Sequence, residues 1–218
     1  MLKKIYVFLL LVLTLLSITY IKAKNNTLPL FGKVIYLDPG HGGLDPGAMY
    51  GGVMEKDINL EITKEIEKKL TSLGAIVYLT RYDDYDLSVI HTNNRKRSDL
   101  SRRANIINKS KCDIYLSIHL NAENTGLWKG AQVFYNNNLK GNKKIAEIFQ
   151  TNFKKNLNSK RKAKVSNNLY LEKRVNRPGV LLELGFLSNQ SERYLLTKKY
   201  YQEKIATIIS DSLITYFK

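Results

Sequence analysis

The chain has 218 residues, 35 Lys+Arg against 19 Asp+Glu, a formal net charge of +16, and 44% hydrophobic beside 25% charged residues. That balance excludes a disordered chain and sets one globular domain as the expectation, drawn toward an anionic polymer or surface. Nucleic acid, anionic lipid and an acidic cell wall all satisfy the charge, but no interleaved aromatic and basic motif supports nucleic acid.

In chain order, MLKK precedes an apolar run over residues 5–21. A basic start followed by such a run reads as a signal peptide or an N-terminal membrane anchor over residues 1–24. The run approaches the roughly 20 residues that span a bilayer, and the IKA at 21–23 makes a poor cleavage site, so both forms stay open. Lys3 and Lys4 put the remaining chain outside the cytoplasmic membrane. Residues 25–31 read as a linker, and the folded domain is expected over 32–218.

Within that domain β-branched and aromatic runs alternate with helical patterns. Strands are predicted for KVIYL at 33–37, AIVYLT at 75–80, DIYLSIH at 113–119, AQVFYN at 131–136 and GVLLEL at 179–184. Apolar stripes on Ile58, Ile62, Ile66 and Leu70, on Ile145, Phe149 and Phe153, and on Ile205, Ile208, Ile209 and Leu213 predict three helices. A shorter helix over residues 100–107 starts after Ser98 and Asp99. The alternation specifies an α/β fold, a single domain with a largely parallel sheet. Residues 82–97 and 156–168 fit no element and read as long loops. Cys112 is the only cysteine, which excludes an internal disulfide and, beside an apolar strand, makes it a core residue.

Three histidines are available, at 41, 91 and 119. His41 follows the first predicted strand and His119 ends the third, which places both on the sheet edge where open α/β folds bind ligands. Glu183 ends an apolar strand at the same edge, where a carboxylate needs an offsetting charge. Glu55 opens a helix. Two imidazoles and two carboxylates in one crevice suit a zinc site with an open water position. The alternatives at this level are an ordinary turn role for His41 and a helix-dipole role for Glu55, and no short HExxH motif is present. His91 reads as a surface residue.

The ordered strings LDPGHGGLDPGA, MEKDINLEI, YLSIHLNA and RPGVLLELGFLSN resemble the zinc-dependent N-acetylmuramoyl-L-alanine amidases that cut bacterial peptidoglycan. The resemblance covers the chain from about Lys33 onward and is greatest to the spore-cortex, germination-specific subgroup. It implies a mixed six-stranded sheet with helices on both faces, Zn2+ held by His41, Glu55 and His119, and Glu183 as the catalytic carboxylate. Asp38 or Asp45 is expected to orient a zinc-binding histidine, with Arg103 and Asn121 in structural roles. The implied location is the cell wall or the forespore intermembrane space. The implied partner is peptidoglycan carrying stem peptides, with membrane anchoring and an activating protein as further possibilities. A vegetative autolysin, a stem-peptide zinc peptidase and a catalytically silent peptidoglycan-binding protein are the rival readings.

Overall fold

The computed structural model describes residues 2–25 and 28–218. An amino-terminal helix, Leu2–Asn25 (α1), precedes the folded unit, and side chains such as Phe8, Leu10 and Leu13 on it are exposed. Among the described residues no helix is long and apolar enough to cross a membrane. The side chains around the expected cleavage region at 21–23, and residues 26 and 27 of the expected linker, lie outside the described residues. That linker is also shorter than expected: Leu30 is fully buried in the main core, and its N–H donates to the Leu73 carbonyl. The folded unit therefore starts before Gly32.

From there the chain runs through Val34–Pro39 (β1), a two-stranded ribbon of Met49–Tyr50 (β2) and Val53–Met54 (β3), Glu55–Ser72 (α2) and Ile76–Leu79 (β4). Arg95–Lys109 (α3), Ile114–Asn121 (β5), Gln132–Tyr135 (β6), Asn142–Leu157 (α4) and Lys164–Val165 (β7) follow. Gly179–Phe186 (β8), Gln190–Leu196 (α5) and Lys199–Phe217 (α6) complete it. The main sheet has six strands in the order β4-β1-β5-β8-β6-β7, parallel throughout except for the antiparallel β6–β8 pair. The expected mixed, mostly parallel α/β sheet is what forms.

Strand alternation divides the core in two. Ile35, Leu37, Ile114, Leu116, Ile118, Val180 and Leu182 face the apolar stripes of α2, α4 and α6 in the larger cluster. Tyr36 and Tyr115 face the other way, against Ala104 and Ile107 of α3 and Leu171 and Val175 of the turn before β8. Cys112 is buried in this second cluster, as expected. The in-between positions Asp38, Ser117 and His119 share the second face, and toward the strand ends that face turns from apolar to polar.

Three elements depart from expectation. The third helix begins at Arg95, capped by Asn94, whose side chain accepts from the Arg97 N–H, so residues 95–97 of the expected loop are helical. The loop expected over 156–168 contains β7, which adds a parallel edge to β6. The β2–β3 ribbon has two-residue strands, too short for any periodicity to register.

Ile66 sits fully buried on the α2 stripe. Ile66→Ala removes packed methylene and methyl groups and is expected to cost about 2–5 kcal/mol, read as a lower denaturation midpoint in urea.

Candidate metal centre

The site is built at the carboxyl ends of β1, β5 and β8. β1 hands directly into the glycine-rich loop, where His41 takes a left-handed backbone, φ 63, a conformation costly for any side chain bearing a Cβ. Two buried arginines hold it there. Arg103 donates to the carbonyls of Pro39 (2.7 Å) and His41 (2.6 Å), and Arg81 to those of Pro39 (3.0 Å) and Gly40 (3.0 Å). Glycine at 40 is a steric necessity, because a Cβ there would lie 2.2 Å from the His119 ring.

His41 and His119 meet edge to face, ring centroids 5.0 Å apart, with Glu55 between them. Glu55 Oε2 is 3.2 Å from His41 Nε2, and Oε1 is 3.0 Å from His119 Nδ1. The same carboxylate accepts from the backbone N–H of Ala48 (2.9 Å) and Leu120 (3.1 Å) and from Asn59 (3.2 Å). Glu55 is thus the first residue of α2, where a carboxylate complements the helix dipole, and also the hub between two strand ends. One ligand atom from each of His41, Glu55 and His119 lies within 4.8 Å of the others, a group that could hold a metal ion.

The environment fits that use. Asp45 Oδ2 accepts from His41 Nδ1 at 2.8 Å, which fixes the proton there and leaves Nε2 facing Glu55. Of the two carboxylates weighed for this role, the contact falls to Asp45. Asp38 instead lies buried beneath the loop, paired with Arg103 at 2.8 Å and hydrogen-bonded by Thr80 and Ser117.

Without a metal the charges compensate one another. Burial opposes charge on His41, but the hydrogen bonds to Asp45 and Glu55 outweigh it and raise the imidazole to about 9. His119 is shifted the same way, burial being overcome by Glu55. Glu55 itself is held well below the usual carboxylate range: burial works to raise it, and the two imidazoles prevail.

Glu183 stands directly across from His119 in the β5–β8 ladder, whose register shifts immediately beyond this pair. Such an irregularity bends a strand and re-aims its side chains. Burial raises the Glu183 carboxyl to about 7, and its Oε2 is buried with no hydrogen-bond partner among the described residues. A carboxyl that accepts protons near neutrality, with a free oxygen beside two imidazoles, has the properties of a general base.

His91 is exposed on the loop between β4 and α3, away from this group. Asn121 has a structural role, its carbonyl accepting from Leu187 N–H at 2.7 Å. Sequence reasoning missed Arg81 and Glu172. Arg81 follows β4 directly, and burial lowers its guanidinium to about 10. Glu172 lies in the turn before β8, and burial raises its carboxyl. Neither carries a motif of its own.

A glycine-rich loop, a helix-starting glutamate and two strand ends converging on a metal-type donor set define an α/β protein with a candidate metal centre. The family comparison makes this specific. Residues 35–215 match the N-acetylmuramoyl-L-alanine amidase family, and the chain belongs to it. It is 46% identical over 198 residues to the germination-specific N-acetylmuramoyl-L-alanine amidase of Bacillus subtilis, covering 89% of this chain and 84% of that protein. It is 35% identical to the probable cell wall amidase LytH of Staphylococcus aureus, covering 90% of this chain and 61% of that protein. Among solved structures, the CwlD amidase from Clostridioides difficile in complex with the GerS lipoprotein superimposes with a TM-score of 0.81 at 39% identity, over 85% of this chain and 98% of that one.

Arg103 is 1% exposed and bridges Asp38 and Asp99. Arg103→Leu strands both carboxylates and is expected to cost about 3–5 kcal/mol, with Arg103→Lys intermediate because a point charge cannot reproduce the fork. Chemical denaturation of the three proteins checks this ranking.

Proposed function

We propose that the protein is a zinc-dependent N-acetylmuramoyl-L-alanine amidase, hydrolysing the amide between the lactyl group of N-acetylmuramic acid and L-alanine in peptidoglycan. The observation that carries this reading is the convergence of His41, Glu55 and His119 beside the unpartnered Glu183 oxygen, in a chain of the amidase family. In this reading the first three hold the metal and Glu183 is catalytic.

When bound, zinc supplies Lewis-acid polarisation of the substrate carbonyl and lowers the pKa of its water toward about 7. Glu183 takes a proton from the attacking water and returns it to the leaving nitrogen, so no covalent enzyme intermediate is required. Hydroxyl adds to the acyl carbon and hydrogen to nitrogen as the C–N bond breaks, giving a lactyl carboxylic acid and a free amino group. Asp45 keeps the His41 proton on Nδ1, and Arg81 and Arg103 keep the loop from relaxing away from His119. The imidazoles resist binding metal while protonated, and Asp45 orients His41 at that cost.

A role in maturing the spore cortex, removing stem peptides ahead of muramic-δ-lactam formation for germination, is supported by the 46% identity to the germination-specific amidase across most of both chains. By contrast, the chain spans 36% of the N-acetylmuramoyl-L-alanine amidase LytC of Bacillus subtilis, at 31% identity. Residues 1–24 serve export across the cytoplasmic membrane as signal or anchor, and residues 32–218 lie in the catalytic domain that acts at the cell wall or in the forespore intermembrane space. An activating protein partner is supported by the lipoprotein bound to the Clostridioides relative.

Glu183→Gln is expected to keep stoichiometric zinc and lose activity by at least about a hundredfold, whereas His119→Ala loses the metal. Asp45→Asn weakens zinc binding by about 10–100-fold. Elemental analysis, zinc-chelator competition and mass spectrometry of digested cortex and vegetative peptidoglycan measure all three. Release of peptides with free N-terminal L-alanine supports the amidase, and equal zinc loss in Glu183→Gln and His119→Ala overturns the division of roles.

A further inference from the structure

Beside the two imidazoles, on the α3 side of the sheet, lies a cavity of about 160 Å³. His119 and Leu181 form its floor, Leu100 of α3 one wall, and Glu172 of the turn before β8 another, with Lys96 at its rim. Glu172 is 1% exposed, and neither of its carboxylate oxygens has a hydrogen-bond partner among the described residues. Its backbone is well held, since its carbonyl accepts from Asn136 at 2.8 Å. The residue is thus anchored through its backbone, with both side-chain acceptors unused.

A buried carboxylate without donors is among the costlier arrangements a fold can carry. Leu100 and Leu181 line the cavity with it, and so do His119, Arg103 and Asp38, none of which bonds its oxygens. Burial answers part of that cost by raising the carboxyl, and a donor entering the cavity would supply the rest. The described structure bears on that donor in two ways. It must lie close to the metal-type centre, because Glu172 is near enough for its charge to act on Glu183, and that of His119 on Glu172. The group that follows the donor can be anionic, because the exposed Lys96 stands at the rim, whereas Arg95 in the adjoining groove is already paired with Asp86.

We propose that Glu172 is a substrate-binding residue that receives the leaving nitrogen: it accepts from the scissile amide N–H and then pairs with the ammonium of the released peptide, whose carboxylates face Lys96. This rests on the amidase reading and adds to it a specificity group for the peptide side of the bond. In the forward step Glu183 delivers one proton to nitrogen, and the neutral amine gains a second from the newly formed carboxylic acid through solvent, so the products are a carboxylate and an ammonium. Glu172 neither gains nor loses a proton in that account. Its place beside the cleft also makes the cavity a retention site for product with a free amino terminus, which the N-acylated substrate on its own cannot fill with an ammonium.

The test uses the full-length, zinc-loaded chain in detergent and the dipeptide L-alanyl-D-glutamate, with its N-acetylated form as the matched control. Calorimetric titration is expected to show the free-amine dipeptide binding at least about tenfold more tightly than the acetylated one. In Glu172→Gln and in Glu172→Leu that ratio falls toward one, the free-amine dipeptide losing more affinity than the acetylated one, while zinc content holds. A purely structural role for Glu172 would shift both dipeptides together. Absence of any preference in the wild type, or a preference that survives in both variants, overturns the inference. Digestion of purified peptidoglycan by the same wild-type sample, alone and with the lipoprotein of the Clostridioides complex added, is read alongside: hydrolysis without amine preference defeats this inference alone, and no hydrolysis in either case defeats the amidase reading beneath it.

Discussion

Two guanidinium groups under one loop hold the whole ligand-binding edge together. The carbonyls of Pro39, Gly40 and His41 turn inward as the chain leaves β1, and no strand is available to bond them. Buried carbonyls of this kind require donors, and Arg81 and Arg103 supply them from opposite sides. Asp38 and Asp99 neutralise Arg103 in turn, and their charges keep its guanidinium protonated against burial, which works the other way. Remove that layer and His41 has no reason to remain in a left-handed conformation facing Glu55.

Above the arginine layer the design changes from neutralised pairs to deliberate excess. Glu55 answers two histidines and three N–H donors, so it is fully occupied. Glu183 and Glu172, by contrast, are carboxyls with unused oxygens. The molecule carries a formal charge of +16, yet two carboxyls with unused oxygens stand beside its imidazoles, and of its basic residues Arg81 and Arg103 are buried beneath the loop while Lys96 is exposed. An anionic polymer is thereby attracted over a long range, while the carboxyls beside the imidazoles are acceptors suited to water protons and N–H groups.

Much of this was legible in the sequence because its determinants are local. The strand that ends in His119 and the strand that ends in Glu183 are largely apolar runs with an ionisable residue at the carboxyl end, and in an α/β sheet that residue falls at the ligand edge. Glu55 was harder, since its helix-start position has an ordinary explanation that the structure shows to be also true. What the sequence did not disclose depends on depth rather than pattern. Arg81 looks like any charge after a strand, Glu172 like any charge in a polar turn, and only the fold reveals that each is buried. The choice of Asp45 over Asp38 likewise turns on which side of the loop each faces. The start of α3 was hidden because RKRSD offers no apolar stripe, and its boundary is set by an asparagine cap.

The strand order has a consequence for how the protein comes into being. β8 lies between β5 and β6, so the middle of the sheet stays open until residues 179–186 have been made and inserted, after more than three quarters of the chain is already synthesised. Parallel neighbours so distant in sequence pair late, because chain closure must precede their contacts. His41, at the other end of the domain, waits throughout. A partial chain that ends before β8 thus owns His41, Glu55 and His119 but not Glu183, and the ligand edge of this amidase-family domain stays one carboxyl short until β8 has found its place.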